Sequence, residues 1–121
     1  MILFDVRERA EFDVSHLQSA INVSPSMSAL NFLENYEDQI EGKKVVFYCS
    51  VGERSSNLAQ AVLAELNGAS GVEVLNLEKG IFNWHNQQRE VFNAHGATEK
   101  IHPFSKFWGR LLLRSDQFEL N

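Results

Sequence analysis

The run Val45-Val46-Phe47-Tyr48, followed at once by Cys49-Ser50-Val51-Gly52-Glu53-Arg54, restricts this chain more than any other stretch. Four consecutive apolar or aromatic residues, two of them β-branched, suit a strand buried on both faces of a parallel sheet. Beyond the loop, Leu58, Val62 and Leu66 recur every fourth residue, with Ala59 and Leu63 beside them, which makes one apolar helix face. Ser55 or Ser56 can cap that helix, and Asn67-Gly68 can end it. The one cysteine of the chain therefore falls at the carboxyl end of a buried strand, in a short loop that feeds a helix. Open α/β sheets bind their ligands at such places.

This placement has a chemical consequence. Unpaired amides of the loop and first helical turn converge, and the helix dipole adds partial positive charge there. Such a concavity binds anions and stabilises a thiolate relative to a thiol. Gly52 lets the loop turn where a side chain would clash, and Arg54 supplies a fixed cation. The plainer reading, Cys49 as a small buried hydrophobe, fits a mid-helix position better than this one.

The flanking segments extend the same pattern. Ile2-Leu3-Phe4 reads as a short buried strand, with Asp5 and Arg7 just beyond its carboxyl end and on the Cys49 side if the strands are parallel. A helical turn around Ala10-Glu11-Phe12 precedes His16, and Ile21-Asn22-Val23 is the next strand. Ser28 can cap a helix whose inward face carries Leu30, Leu33 and Tyr36. Glu34, Glu37, Asp38 and Glu41 read as a solvated face rather than a metal site. Gly71 to Leu75 supplies another strand, and Gly80 opens a helix carrying Ile81, Phe82 and a core Trp84. Alternating strands and helices imply an α/β fold: a central, mostly parallel sheet of four to five strands with helices on both faces.

Composition narrows the function. A length of 121 residues suits one domain, and 44% apolar with 22% charged residues is ordinary for a globular protein. The net charge of −5 argues against nucleic acid, because phosphate contacts need clustered Lys and Arg. A single cysteine makes no internal disulfide, and no Cys/His spacing suggests a metal. There is no signal peptide and no apolar run long enough for a bilayer, so no membrane contact and a cytoplasmic location are expected.

Cys49-Ser50-Val51-Gly52-Glu53-Arg54-Ser55 resembles the six-residue active-site loop of rhodanese-like sulfurtransferases, C-x-x-G-x-R followed by serine. Asp5-Val6-Arg7, Glu11-Phe12, His16 and Ala20-Ile21-Asn22 resemble the first signature of that family. Glu78-Lys79-Gly80-Ile81-Phe82-Asn83-Trp84 resembles its closing signature. The resemblance implies a rhodanese-like three-layer domain over residues 1–88, lacking the usual first strand and helix. It implies Cys49 as nucleophile, Ser50, Val51, Gly52, Glu53, Arg54 and Ser55 as donor contacts, and Arg7 either as a residue that, with Asp5, fixes the loops near the site or as a further cation for the donor. Asp5, His16 and Glu78 are then structural residues near the site. Where the family has proline-glycine after the histidine, Leu17-Gln18-Ser19 stands here, so the local turn differs. Neither cofactor nor metal is implied.

The partners implied are a small anionic sulfur donor, thiosulfate or a persulfide, and a thiol or sulfur-carrier protein as acceptor. Glu53 argues against thiosulfate, because it sets a carboxylate beside a site for a dianion. A cysteine phosphatase or arsenate reductase needs C-x5-R, and only four residues separate Cys49 from Arg54. A rhodanese-like regulatory or binding module, with Cys49 as a redox-sensing thiol, is the non-enzymatic alternative. Residues 89–121 are unlike the family core, and their apolar stretch from Ile101 to Leu113 is expected to pack on the domain or on a second subunit of a homodimer.

Overall fold

The protein is described by a computed structural model that covers residues 1–67 and 71–101. The order of elements is β1 (Ile2–Asp5), α1 (Arg9–Val14), β2 (Ile21–Asn22), α2 (Ala29–Ile40), β3 (Lys44–Tyr48), α3 (Glu53–Leu66), β4 (Glu73–Asn76), α4 (Gly80–Asn86), β5 (Val91–Asn93) and β6 (Gly96–Thr98). Strands β2-β1-β3-β4 form one four-stranded sheet in that order, with every pair parallel. The chain starts at β1, steps outward to β2, then crosses back to β3 on the other side. That reversal puts a switch point between β1 and β3, at their carboxyl ends.

Period-two alternation divides the sheet into two faces. Phe4, Val45 and Phe47 point to one face, where they meet Phe32 and Ile40 of α2 and Leu58, Val62 and Leu66 of α3. Phe4, Phe32, Tyr36 and Phe47 make a cluster of ring contacts, with Phe4 and Phe32 edge to face at 4.8 Å. Leu3 and Tyr48 point to the opposite face, against Ile81 and Phe82 of α4 together with Leu17, Val91 and Ile101. Helices thus cover both faces, as the alternation implies.

The β5–β6 hairpin was not foreseen. It pairs antiparallel, Phe92 with Ala97, and is tied to the domain by His16 N–H to the Phe92 carbonyl at 2.7 Å and the reciprocal bond at 2.8 Å. Residues 89–101 therefore lie against the domain, with Val91 and Ile101 buried in the second core. The apolar residues expected to cover a surface, Phe104 onward, lie outside the described residues, as does Gly68.

Three helix details depart from expectation. Leu30 is 64% exposed and Leu63 51% exposed. At about 100° per residue, Leu30 lies on the far side of α2 from Phe32, while Leu63 is a quarter-turn or so from Val62. The inward face of α2 is instead Phe32, Tyr36 and Ile40, with Ala29 and Leu33 at its edge. Ser28 caps α2 as expected, its Oγ accepting from Asn31 N–H at 3.1 Å. Helix α3 has no serine cap: it starts from Gly52 in the left-handed region, at φ 97°, and Ser55 lies inside its first turn. Trp84 is only half-buried, its indole N–H donating to the Glu90 carbonyl at 2.8 Å.

Phe32 has no exposed surface and contacts three other rings. Phe32→Ala is expected to lower the unfolding free energy by roughly 3–5 kcal/mol, read as a fall in the urea midpoint at unchanged slope.

Candidate active site

Three parallel strands end at one level. Asp5 is in register with Tyr48, and Phe47 with Asn76, so the residues following β1, β3 and β4 gather at one edge of the sheet. Cys49 follows the central strand and lies between the other two.

The loop after Cys49 is fastened from outside by backbone. Ile81 N–H donates to the Cys49 carbonyl at 2.9 Å, and Phe82 N–H to the Ser50 carbonyl at 3.0 Å. This close approach needs Gly80: at φ 62°, a Cβ there would overlap the carbonyls of Cys49 and Ser50. Gly52 is required for a matching reason, since a Cβ on it would overlap the Glu78 carbonyl. With the Cys49 and Ser50 carbonyls held by α4, two amides farther along reach the sulfur. Gly52 N–H donates to Cys49 Sγ at 3.2 Å, Ser55 N–H at 3.4 Å, and the Ser55 hydroxyl also lies 3.4 Å from the sulfur. The sulfur is in a ring of donors rather than in hydrocarbon. It lies beneath the loop, with Cys49 only 1% exposed.

Arg54 leaves the first turn of α3 toward Glu11. Its Nη1 donates to Glu11 Oε2 at 2.8 Å and its Nη2 to Oε1 at 3.0 Å, a bidentate pair. Nη2 also donates to Ser50 Oγ at 2.8 Å, and that hydroxyl donates to Glu11 Oε1 at 3.2 Å. Glu8 N–H adds a further bond to Glu11 Oε2 at 2.9 Å. Burial opposes charge on Glu11, yet the hydrogen bonds and positive charge of Arg54, with Arg7 behind, hold its carboxyl below the ordinary value of 4.5. The loop cation is therefore matched by an internal anion.

Of the two roles open to Arg7, its contacts fit the structural one. It has no exposed surface: Nε donates to Asp5 Oδ1 at 2.9 Å, and Nη2 to Asp5 Oδ2 at 2.7 Å and to the Ser15 carbonyl at 2.6 Å. Burial works against its charge, but Asp5 more than offsets this and raises the guanidinium further above its ordinary range. Arg7 belongs to the wall that holds the chain after β1 and does not reach a donor. Tyr48 completes that wall: burial and the charge of Asp5 push its phenol up, and its oxygen accepts from Leu17 N–H at 2.9 Å. His16 is engaged elsewhere, its Nδ1 donating to the Phe12 carbonyl at 3.0 Å and its ring stacked on Phe12. The Glu53 and Glu78 side chains are exposed, Val51 is half-buried, and Glu78 touches the loop through its backbone.

Two site residues escaped the sequence reading. Glu11 was placed in a signature but not beside the loop; its one local signal is its position in the first turn of α1, reaching back to the Glu8 amide. Asn76 was overlooked at the end of β4. Its Oδ1 accepts from Ser55 Oγ at 2.6 Å, and its Nδ2 donates to the Gly52 carbonyl at 3.2 Å. Among the described residues there is no group of three or more His, Cys, Asp or Glu able to hold a metal, and no helix is long and apolar enough to cross a membrane.

Glu11→Gln removes the charge that Arg54 faces while Arg54 stays 21% exposed. The expected loss is roughly 2–3 kcal/mol at neutral pH, less than for a fully sealed pair. Because the folded-state carboxyl titrates below the unfolded one, the contribution of Glu11 is complete above pH 4.5 and is lost as the pH falls further. The difference in stability between wild type and Glu11→Gln should therefore shrink on acidification, measured by urea unfolding across that range.

Comparison with known proteins agrees with this geometry. The rhodanese-like domain family model matches residues 1–87. The chain is 31% identical over 91 residues to the adenylyltransferase and sulfurtransferase UBA4 of Yarrowia lipolytica, covering 75% of this chain and 21% of that protein. It is 38% identical over 64 residues to the thiosulfate:glutathione sulfurtransferase of Saccharomyces cerevisiae, covering 45% of each. The chain thus spans less than half the length of either relative. A rhodanese-related protein of Thermoplasma volcanium superposes with a TM-score of 0.59 at 26% identity, over 74% of this chain and 81% of that one. With the family model matched over most of its length, the chain belongs to the rhodanese-like domain family.

Proposed function

We propose that this protein is a sulfurtransferase that carries a sulfane sulfur on Cys49. The observation that supports this most is the convergence of Gly52 N–H and Ser55 N–H on Cys49 Sγ at the carboxyl end of β3. In the first half-reaction the Cys49 thiolate attacks the outer sulfur of the donor. A sulfur–sulfur bond forms to Cys49 as the donor's own sulfur–sulfur bond breaks, and the leaving group departs with that electron pair. From thiosulfate the leaving group is sulfite; from a persulfide it is a thiolate. In the second half-reaction an acceptor nucleophile takes the terminal sulfur and returns the electron pair to Cys49. Peptide N–H groups meet the negative charge throughout, so no general base is required.

Substrates follow from the same charges. Arg54 is paired with Glu11 and Arg7 with Asp5, so the donor's charge is met mainly by amides of the loop and of the α3 amino terminus. Thiosulfate and thiol persulfides both fit that description, and a low-molecular-weight thiol such as glutathione, or a sulfur-carrier protein, is proposed as acceptor. The yeast relative is named for thiosulfate and glutathione, which supports that choice. A non-catalytic binding module is the second reading, and the near-complete burial of Cys49 favours it.

Intact-mass measurement after incubation with thiosulfate or with glutathione persulfide decides between the two. Gain of one sulfur atom by the wild type, absent in Cys49→Ser and reversed by cyanide or glutathione, is the expected result. No gain from either donor rejects the transferase reading. A second expectation concerns the exposed Glu53 in the first turn of α3. Glu53→Lys should lower the KM for thiosulfate by about two- to fivefold at low salt, fading at high salt, with kcat little changed.

A further inference from the structure

The Ser55 hydroxyl has one proton and three acceptors within reach: Asn76 Oδ1 at 2.6 Å, the Gly52 carbonyl at 3.2 Å and Cys49 Sγ at 3.4 Å. Distance assigns the proton to Asn76. The amide of Asn76 cannot turn to refuse it, because its Nδ2 donates to the Gly52 carbonyl and so directs Oδ1 at Ser55. The same geometry has a second effect. Asn76 draws off the one donor near the sulfur that can rotate, leaving Gly52 N–H and Ser55 N–H, both fixed by the backbone.

We infer that Asn76 is a positioning residue that keeps the Ser55 hydroxyl off Cys49 and thereby preserves the nucleophilicity of its sulfur. The physical reason is a trade between stability and reactivity. Each hydrogen bond donated to a thiolate stabilises it, and a more stable thiolate is a weaker nucleophile, with a Brønsted coefficient of about 0.4–0.5. Two fixed amides favour the anion. A third, charge-assisted bond from a hydroxyl would hold the electron pair that has to attack the donor. Asn76 prevents that third bond by offering the hydroxyl a shorter one. Its position at the end of β4, level with Phe47 in the register, brings it to the level of the loop that follows β3.

The inference concerns the thiol itself and builds on the reading of Cys49 as the reactive group, not on which donor it meets. Its test is accordingly a reaction that needs no sulfur donor: alkylation of Cys49 by iodoacetamide, in which a carbon–sulfur bond forms and iodide leaves. The quantity read is the limiting rate at alkaline pH, where the thiol is fully ionised and only its nucleophilicity counts. Asn76→Ala frees the hydroxyl to turn to the sulfur and should lower that limiting rate about threefold. In a Ser55→Ala background the same substitution should change the rate by less than about twofold, because the hydroxyl it controls is gone. Asn76→Asp keeps an acceptor for Ser55 while giving up the Nδ2 bond to the Gly52 carbonyl, and should show no fall, which separates the two contacts and covers the case in which Asn76→Ala does not fold. An equal fall with and without the Ser55 hydroxyl would mean that Asn76 acts only by bracing the Gly52 carbonyl, and overturns the inference. So does a fall in Asn76→Asp, an unchanged Asn76→Ala, or a wild-type Cys49 that does not react. Alkylation with the expected coupling, but without mass gain from any donor, would sustain this inference while rejecting the transferase reading.

Discussion

Everything at this site depends on which way four peptide groups face. The carbonyls of Cys49 and Ser50 are taken by the first amides of α4, Ile81 and Phe82. With those carbonyls fastened outside, the turn that follows sets Gly52 N–H and Ser55 N–H on the sulfur. The arrangement needs two backbones to touch, and it exists only because neither Gly52 nor Gly80 has a side chain to hold them apart. A helix amino terminus alone would give a diffuse positive end. Here the second helix selects which groups of the first loop remain available, so α4 contributes to the chemistry without contacting the sulfur.

Charge is handled separately from this cradle. Both arginines nearest the loop are neutralised within the fold, Arg54 by Glu11 and Arg7 by Asp5. Each pair costs desolvation, and each returns geometry: Arg54–Glu11 joins α3 to α1, and Arg7–Asp5, with the Ser15 carbonyl, holds the segment that leaves β1. A guanidinium held by two carboxylate oxygens is a brace of fixed length between the segments it joins.

How much of this the chain announced depends on the range of the interaction. The Val45–Tyr48 run and the Leu58, Val62, Leu66 spacing are local signals, and they matched β3 and α3 because burial on both sides of a strand, and on one side of a helix, writes directly into periodicity. Cys49 at the strand end was legible for the same reason. The capping serine of α3 was not, since a glycine in the left-handed region starts the helix earlier and places Ser55 on the sulfur. The burial of Arg7 was not legible, because its partner, two residues away, is equally compatible with a surface pair; only the packing of Tyr48 and α1 around it shows it. Glu11 and Asn76 act across 43 and 21 positions of the chain respectively, and nothing in their immediate neighbours encodes that reach.

A Cys49 persulfide, as proposed above, would add one more constraint. Loading would move the negative charge from Cys49 Sγ to a terminal sulfur about 2 Å farther out. A site tuned only for the thiolate would then hold the wrong atom, whereas one tuned only for the persulfide would leave the nucleophile unsupported. The α3 start would answer this with backbone charge. Gly52 and Ser55 amides reach the inner sulfur, and the positive end of the α3 dipole adds potential that is not confined to one atom. Positive potential that is spread along a backbone, rather than concentrated on a side chain, can follow a charge that moves by one bond. A free arginine in that space would favour one position over the other, which is the physical sense in keeping Arg54 occupied by Glu11.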